Sequence, residues 1–433
     1  MKNKFIKSTI ILVIGGFITK LLSMVIRIAL TRAVTTEGIG LYMLVLPTFN
    51  LFITLSTLGL PSAISKLVSE RKRSNKKLIL SIFPLIMIFN IILMFIVIIL
   101  YPVISKYFLK NINTMYPIMA IGLTLPFICL SNLLKGYFFG NQKMFPHVLS
   151  VVIEQLIRLF LTIYFIPKLL VYNLTTAITG VVLINIISEF FSFLTLMLFL
   201  PKKINLNKND FKIDKNNIRD TLSISIPTTG SRLIGSICYF IEPIILTYTL
   251  LKTGYTNDYI VHEYGIITGY VLPLLTLPSF FSISISNALL PIISNSYSNK
   301  KIDYTKKKIK QGIYYSLAIG IPITIIIFLF PDKLLNLIYH TTKGVKYIKV
   351  TSIIFILFYI QGPLTISLQA MNKAKEAMKG TLYGSLIKIA ALLFFNLFHI
   401  GMWGLIISLC SNIIFVTIHH IYYVNKYLKI KKL

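Results

Sequence analysis

TIILVIGGFITKLLSMVIRIALT, Thr9 to Thr31, decides the fold class of this chain. A helix needs about 20 apolar residues at 1.5 Å each to cross the hydrocarbon of a bilayer, and this stretch is long enough. Lys20 stands near its middle and Arg27 follows two turns later. A cation at the centre of a membrane helix costs roughly 2.5–3.5 kcal/mol on insertion scales, so it calls for a function or a partner. Helical spacing puts Gly16, Ser23 and Arg27 on the face of Lys20, with Ile, Leu and Val opposite. That division suits a helix with its back to lipid and its front to a wet, cationic cavity. The same pattern returns as GSRLIGSICYF, Gly230 to Phe240, with Arg232 in the place of Lys20.

The composition agrees. The chain has 433 residues, 55% of them hydrophobic and only 13% charged, a ratio that excludes a soluble domain. Its formal charge of +31 is no nucleic-acid signature, because the basic residues fall in separate short loops. Cys129, Cys238 and Cys410 each lie in an apolar run without metal-ligand spacing, and read as packing residues. The N-terminal run is too long for a signal peptide and no small-x-small cleavage site follows it, so it reads as a retained first span.

Twelve apolar spans are expected, near 9–31, 41–65, 78–100, 116–134, 148–167, 175–200, 221–251, 264–294, 312–330, 350–371, 381–398 and 402–424. Of the 44 Lys and Arg, 30 fall at the termini and in every second connection and 9 in the alternate ones. The basic connections include Lys66–Lys77, Lys135 with Lys143, Lys202–Arg219 and Lys300–Lys310. This asymmetry predicts a multi-pass protein of the cell membrane with both termini in the cytoplasm.

The chain also repeats itself. Pro61 and Pro291 are 230 residues apart, Pro102 and Pro331 229, Asn141 and Asn372 231, and Arg158 and Lys388 230. Lys20 and Arg232 are 212 apart, because the region from span 7 into span 8 is longer than its counterpart. A duplicated six-span unit keeps its orientation, so the halves are expected around a pseudo-two-fold axis along the membrane normal. The architecture read from sequence is therefore an all-α polytopic membrane protein with two pseudo-symmetric six-helix lobes. They are residues 1–200 and 221–433, joined by a basic cytoplasmic linker, 201–220, expected to be partly helical along the surface.

Five cations lie inside spans: Lys20, Arg27, Arg158, Arg232 and Lys388. Four of them form repeat-related pairs, Lys20 with Arg232 and Arg158 with Lys388. Three acids share their depth: Glu154, Glu189 and Glu242. Glu154 is one turn before Arg158, an i,i+4 pair that either holds spans together or lines a site. Glu242, followed by Pro243, is placed to answer Lys20 or Arg232. Glu189, sharing a face with Asn185 and Ser192, suits a cation or proton site or a buried hydrogen-bonded carboxylate. The net positive balance suits an anionic substrate, and phosphate is the anion Arg and Lys bind best. No GxxxxGK[ST] and no HExxH is present, and neither a cofactor nor a bound metal is expected. No loop is long enough for a soluble catalytic domain, so the chain does not read as an enzyme.

EGIGLYMLVLP (Glu37–Pro47), TLGLPSAISKLVSE (Thr57–Glu70), LKGYFFGNQKMFPHVLSVVIEQLIR (Leu134–Arg158) and LPSFFSISISNALLPIIS (Leu277–Ser294) resemble the polysaccharide-exporter branch of the multidrug/oligosaccharidyl-lipid/polysaccharide flippase superfamily, its sporulation-type members above all. The resemblance covers nearly the whole chain. It implies two six-helix lobes around a cavity, and a flippase that moves an undecaprenyl-diphosphate-linked saccharide, a cell-wall or polysaccharide precursor, by alternating access. It also implies that Lys20, and with it Arg27, receives the diphosphate. The partners would be that lipid-linked saccharide and membrane lipid, with no nucleic acid, and the protein would act as a monomer. Two departures stand out: sporulation-type relatives commonly have fourteen spans, and Lys20 replaces a frequent Arg, giving up bidentate geometry. A cation-coupled multidrug antiporter of the same fold is the alternative.

Overall fold

The computed structural model describes residues 2–70, 74–201 and 214–428, and among these residues it is helical with no strand. Of the 201–220 linker, residues 202–213 lie outside the described residues, as do the loop cations Arg71, Lys72 and Arg73, while Lys215–Asp220 are helical. Two compact units emerge, Met1–Phe240 and Ile241–Leu433.

The first unit contains α1 (Lys2–Ala33), α2 (Thr36–Thr57), α3 (Leu60–Glu70), α4 (Asn75–Val103), α5 (Met115–Gly140), α6 (Met144–Leu170) and α7 (Leu174–Leu198). It also takes the first part of α8 (Lys215–Lys252), where Asn217 Nδ2 donates to Ser81 Oγ at 3.0 Å and Thr54 meets Ser236 at 2.8 Å. The division between units thus falls inside α8, further along the chain than the 220/221 limit drawn by counting spans.

Capping residues start the helices where the sequence changes character. Thr35 accepts from Gly38 N ahead of α2, and Asn173 Oδ1 accepts from Thr176 N at 2.7 Å ahead of α7. α2 stops where Leu58 (φ 44°) and Gly59 (φ 60°) turn left-handed in succession. A Cβ on Gly59 would stand 2.3 Å from Thr228 Oγ1, so this turn requires glycine both for its backbone and for its space. α5 is the centre of the unit and packs on α2, α3, α4 and α7. Its Cys129 and Leu133 join Leu60, Ile64, Leu78 and Ile82 in one buried cluster. Cys129 therefore packs as expected, and Cys410 is likewise buried and unbridged.

The second unit holds the rest of α8, then α9 (Asn257–Gly265), α10 (Leu272–Leu275), α11 (Ser279–Ser298), α12 (Ile302–Leu329), α13 (Pro331–Tyr339), α14 (Val345–Ala370), α15 (Ala374–Asn396) and α16 (Trp403–Leu428). Asn257–Leu275 and Ser279–Ser298 meet at a bend of 52°. Pro273 and Pro278 cannot donate there, and the hydroxyls of Thr276 and Ser279 bond the nearby carbonyls Leu272 O and Thr276 O. Among the described residues eleven helices are long and apolar enough to cross a membrane, and twelve if this bent pair is one span.

Each unit has the same internal plan. α3, α4 and α7 surround α5, and α6 packs on α7; α11, α12 and α16 surround α14, and α15 packs on α16. The turns leaving the central helices share one hydrogen-bond pattern. Gln142 N bonds Phe139 O and Lys143 N bonds Phe138 O, while Asn372 N bonds Gln369 O and Lys373 N bonds Leu368 O. Their left-handed residues are Gln142 and Asn372. The structural register of the repeat here is thus 230, one residue tighter than the Asn141–Asn372 match suggested.

Candidate functional site

Three packed helices of the first unit bring a charged cluster together. α5 contributes Ser131 and Lys135, one turn apart on a single face; α6 contributes Glu154 and Arg158, again one turn apart; α7 contributes Ser188 and Glu189. Lys135 Nζ lies 2.8 Å from Glu154 Oε2 and 3.3 Å from Glu189 Oε2. Arg158 Nη2 donates to the other oxygen of Glu154 at 2.9 Å and to Ser188 Oγ at 3.4 Å. The Ser131 hydroxyl donates to Glu189. Lys135, Glu154 and Glu189 are only 8%, 5% and 7% exposed, so each charge depends on its protein partners rather than on water. Two cations face two carboxylates, and the cluster is neutral as a whole. α1 reaches it through Ser23, whose hydroxyl lies 3.3 Å from the Gln155 side-chain oxygen.

Lys135 corrects the sequence reading, which counted it among loop cations. Hydropathy ended span 4 at Leu134, whereas α5 continues to Gly140 and buries the lysine. The available signal was the i,i+4 spacing of Ser131 and Lys135 ahead of the turn at Asn141–Gln142. Arg158 pairs with Glu154 as expected. Glu189 is a buried, hydrogen-bonded carboxylate, held by Ser131 and Lys135.

In the second unit Lys388 on α15 forms an ion pair with Glu242 on α8. This overturns the expectation that Glu242 answers Lys20 or Arg232. Its side chain is 6% exposed and that of Lys388 19%, so the pair replaces water for the acid more completely than for the amine. Lys20 and Arg232 are both exposed, while Arg27 is half-buried, with its Nη2 3.5 Å from Met43 Sδ. The five cations named from sequence therefore divide: Arg158 and Lys388 meet carboxylates of their own unit, Arg27 is half-buried, and Lys20 and Arg232 are exposed.

Residues 5–297 match the polysaccharide biosynthesis protein family, and residues 267–398 match MatE. The chain belongs to the polysaccharide biosynthesis protein family. This places it in the flippase branch of the multidrug/oligosaccharidyl-lipid/polysaccharide superfamily, a group of transporters. Stage V sporulation protein B of Bacillus subtilis (strain 168) is 34% identical to this family member, over 99% of the chain and 85% of the relative. Lipid II flippase MurJ of the same organism is 24% identical, over 90% of the chain and 77% of the relative. An inward-facing multidrug resistance MATE family transporter shares the fold, with a TM-score of 0.74 at 16% identity over 96% of both chains.

Proposed function

We propose that the chain flips a saccharide carried on undecaprenyl diphosphate from the inner to the outer leaflet of the cytoplasmic membrane by alternating access. The termini and the 201–220 linker lie in the cytoplasm in this reading, and the six-span lobes 1–200 and 221–433 do the moving. Lys20, Arg27 and Arg232 receive the diphosphate, and the polyprenyl tail stays in lipid. The observation that carries the reading is the exposed Lys20 and Arg232 in apolar helices of a chain related to a lipid II flippase. Such cations are costly in a span and mark ligand pathways. An inside-negative potential favours outward movement of an anion by roughly 2.3 kcal/mol per charge per 100 mV.

A cation-coupled antiporter of this fold would need carboxylates available to an incoming cation. In the first unit Glu154 and Glu189 already hold Lys135 and Arg158, which favours the flippase. The test is translocation of a lipid-linked saccharide by Lys20→Ala and Arg232→Ala at unchanged protein level. Both should lose it, and normal translocation by both variants refutes the assignment.

A further inference from the structure

In the first unit α4 and α7 both pack on α5 and hardly touch each other, so a groove opens between them over α5. Its volume is about 680 Å³, inside the range of about 300–1,000 Å³ typical of ligand sites. Leu133 and Leu134 of α5, 2% and 6% exposed, form the floor. α4 supplies one wall with Leu80 and Phe83, and α7 the other with Phe193 and Met197. Among the lining side chains only Lys76 and Tyr137 carry a nitrogen or an oxygen.

The groove marks a division in the packing. Leu78 and Ile82 of α4 are buried with Cys129 and Leu133 of α5, whereas Leu196 of α7 is buried with Leu134 and Phe138 in a separate cluster. The second unit has no such split between the corresponding helices. There Ile309 of α12, Leu364 and Leu368 of α14, and Val424 and Leu428 of α16 share one cluster, with Tyr423 and Tyr427 packed against it. The second unit thus joins these helices with its own side chains, and the first leaves the space between α4 and α7 open.

One end of the groove is cationic. Asn75 Nδ2, next to Lys76 in the chain, donates to Asn141 Oδ1 at 3.4 Å, and Asn141 lies one turn beyond Tyr137. Lys76 and Tyr137 are therefore at the same end, where α7 also finishes with Leu200 and Pro201 beyond it. Lys76 has an interaction within the chain, and an ammonium carries three donors, so it can meet a phosphate as well. Lys77 beside it has a side chain 59% exposed, 3.9 Å from Asp214. From Leu130 to Tyr137 α5 rises about 10 Å, a third of the hydrocarbon thickness, so the groove lies within one leaflet.

All three helices of the groove are spans, so lipid is what reaches it. Lipid tails are as apolar as leucine, and the lining alone therefore selects no particular lipid. Selection comes from the lysines, because basic pockets between spans attract anionic headgroups. The cations proposed for the diphosphate in this unit, Lys20 and Arg27, lie on α1, which packs chiefly on α6 and not on the walls of the groove. That separation argues for a resident phospholipid rather than the transported one.

We infer that the groove holds an acyl chain of one anionic phospholipid, with its phosphate at Lys76 and Lys77, in the cytoplasmic leaflet of the orientation proposed above. The test uses the full chain reconstituted in equal parts phosphatidylglycerol and phosphatidylcholine, extracted in a neutral detergent, with retained lipid identified by native mass spectrometry. The wild-type protein should keep one phosphatidylglycerol, preferred over phosphatidylcholine by about fivefold or more. Lys76→Gln should lower that preference by about fivefold, while Lys106→Gln, an exposed lysine just beyond the other end of α4, should leave it unchanged. Met197→Trp, which adds bulk at the exposed rim of the groove, should reduce retention of both lipids. Four results overturn the site: no retained lipid, equal retention of the two lipids, a preference that survives Lys76→Gln, or displacement of phosphatidylglycerol by equimolar undecaprenyl phosphate. The last would give the groove to the polyprenyl chain instead.

Discussion

Replacing Lys135 by Met tests the buried cluster most directly. The ammonium is shared between Glu154 and Glu189, at 2.8 and 3.3 Å. Without it Glu154 keeps Arg158 at 2.9 Å, whereas Glu189 keeps only the Ser131 hydroxyl. Removing one partner of a buried ion pair costs about 3–5 kcal/mol because the other charge is stranded, and here nearly all of that falls on Glu189. The charge-balanced double variant Lys135→Met/Glu189→Gln should therefore recover most of the loss. It leaves one neutral pair, Glu154 with Arg158, and an amide that Ser131 can still bond. Thermal unfolding of the detergent-purified wild type, the single variants Lys135→Met and Glu189→Gln, and the double variant completes a double-mutant cycle, in which a coupling of about 2–3 kcal/mol is expected for groups in contact. Equal stability loss in the single and double variants would contradict the geometry, and so would a single variant as stable as the wild type.

Other expectations follow from neighbouring observations. Lys388→Met strands Glu242 and should destabilise the chain by about 2–4 kcal/mol, less than Lys135→Met because the Lys388 side chain is 19% exposed; Lys388→Met/Glu242→Gln should be milder, as unfolding midpoints will tell. Gly140→Ala forces a Cβ to 2.6 Å from Ser65 O, a backbone atom that cannot rotate away, so α3 and α5 must part and expression of folded protein should drop. Asn90→Leu removes the side chain that accepts from Ser56 Oγ at 2.6 Å and donates to Ile86 O at 3.1 Å in a fully buried setting, with an expected loss of about 1–3 kcal/mol, read by the same melts.

Much of this was legible in residues alone, because membrane helices are written in hydropathy and length. The stretch 264–294 reads as one span, and the structure bends it by 52° at Thr276–Pro278, beside two prolines. The repeat was visible as an offset near 230, since turns between packed helices constrain spacing. Arg158 with Glu154 was visible too, because both lie one turn apart on a single helix. Lys135 was not. Its neighbours Leu134 and Gly136 made it look like the edge of a span, and the i,i+4 spacing from Ser131 was the one local sign that α5 runs on to Gly140. Nor could spacing reveal that Lys388 takes Glu242, 146 residues away, rather than leaving it to Lys20 or Arg232.

What the linear chain determined by itself was therefore the solvent of each segment and the existence of a duplication, because both depend on composition and period. Which charges neutralise each other was decided only when α5, α6 and α7 packed together, and likewise α8 and α15. Apart from the i,i+4 pair of Glu154 and Arg158, these ion pairs are a matter of a few ångströms between helices, and that distance is encoded nowhere along a single helix.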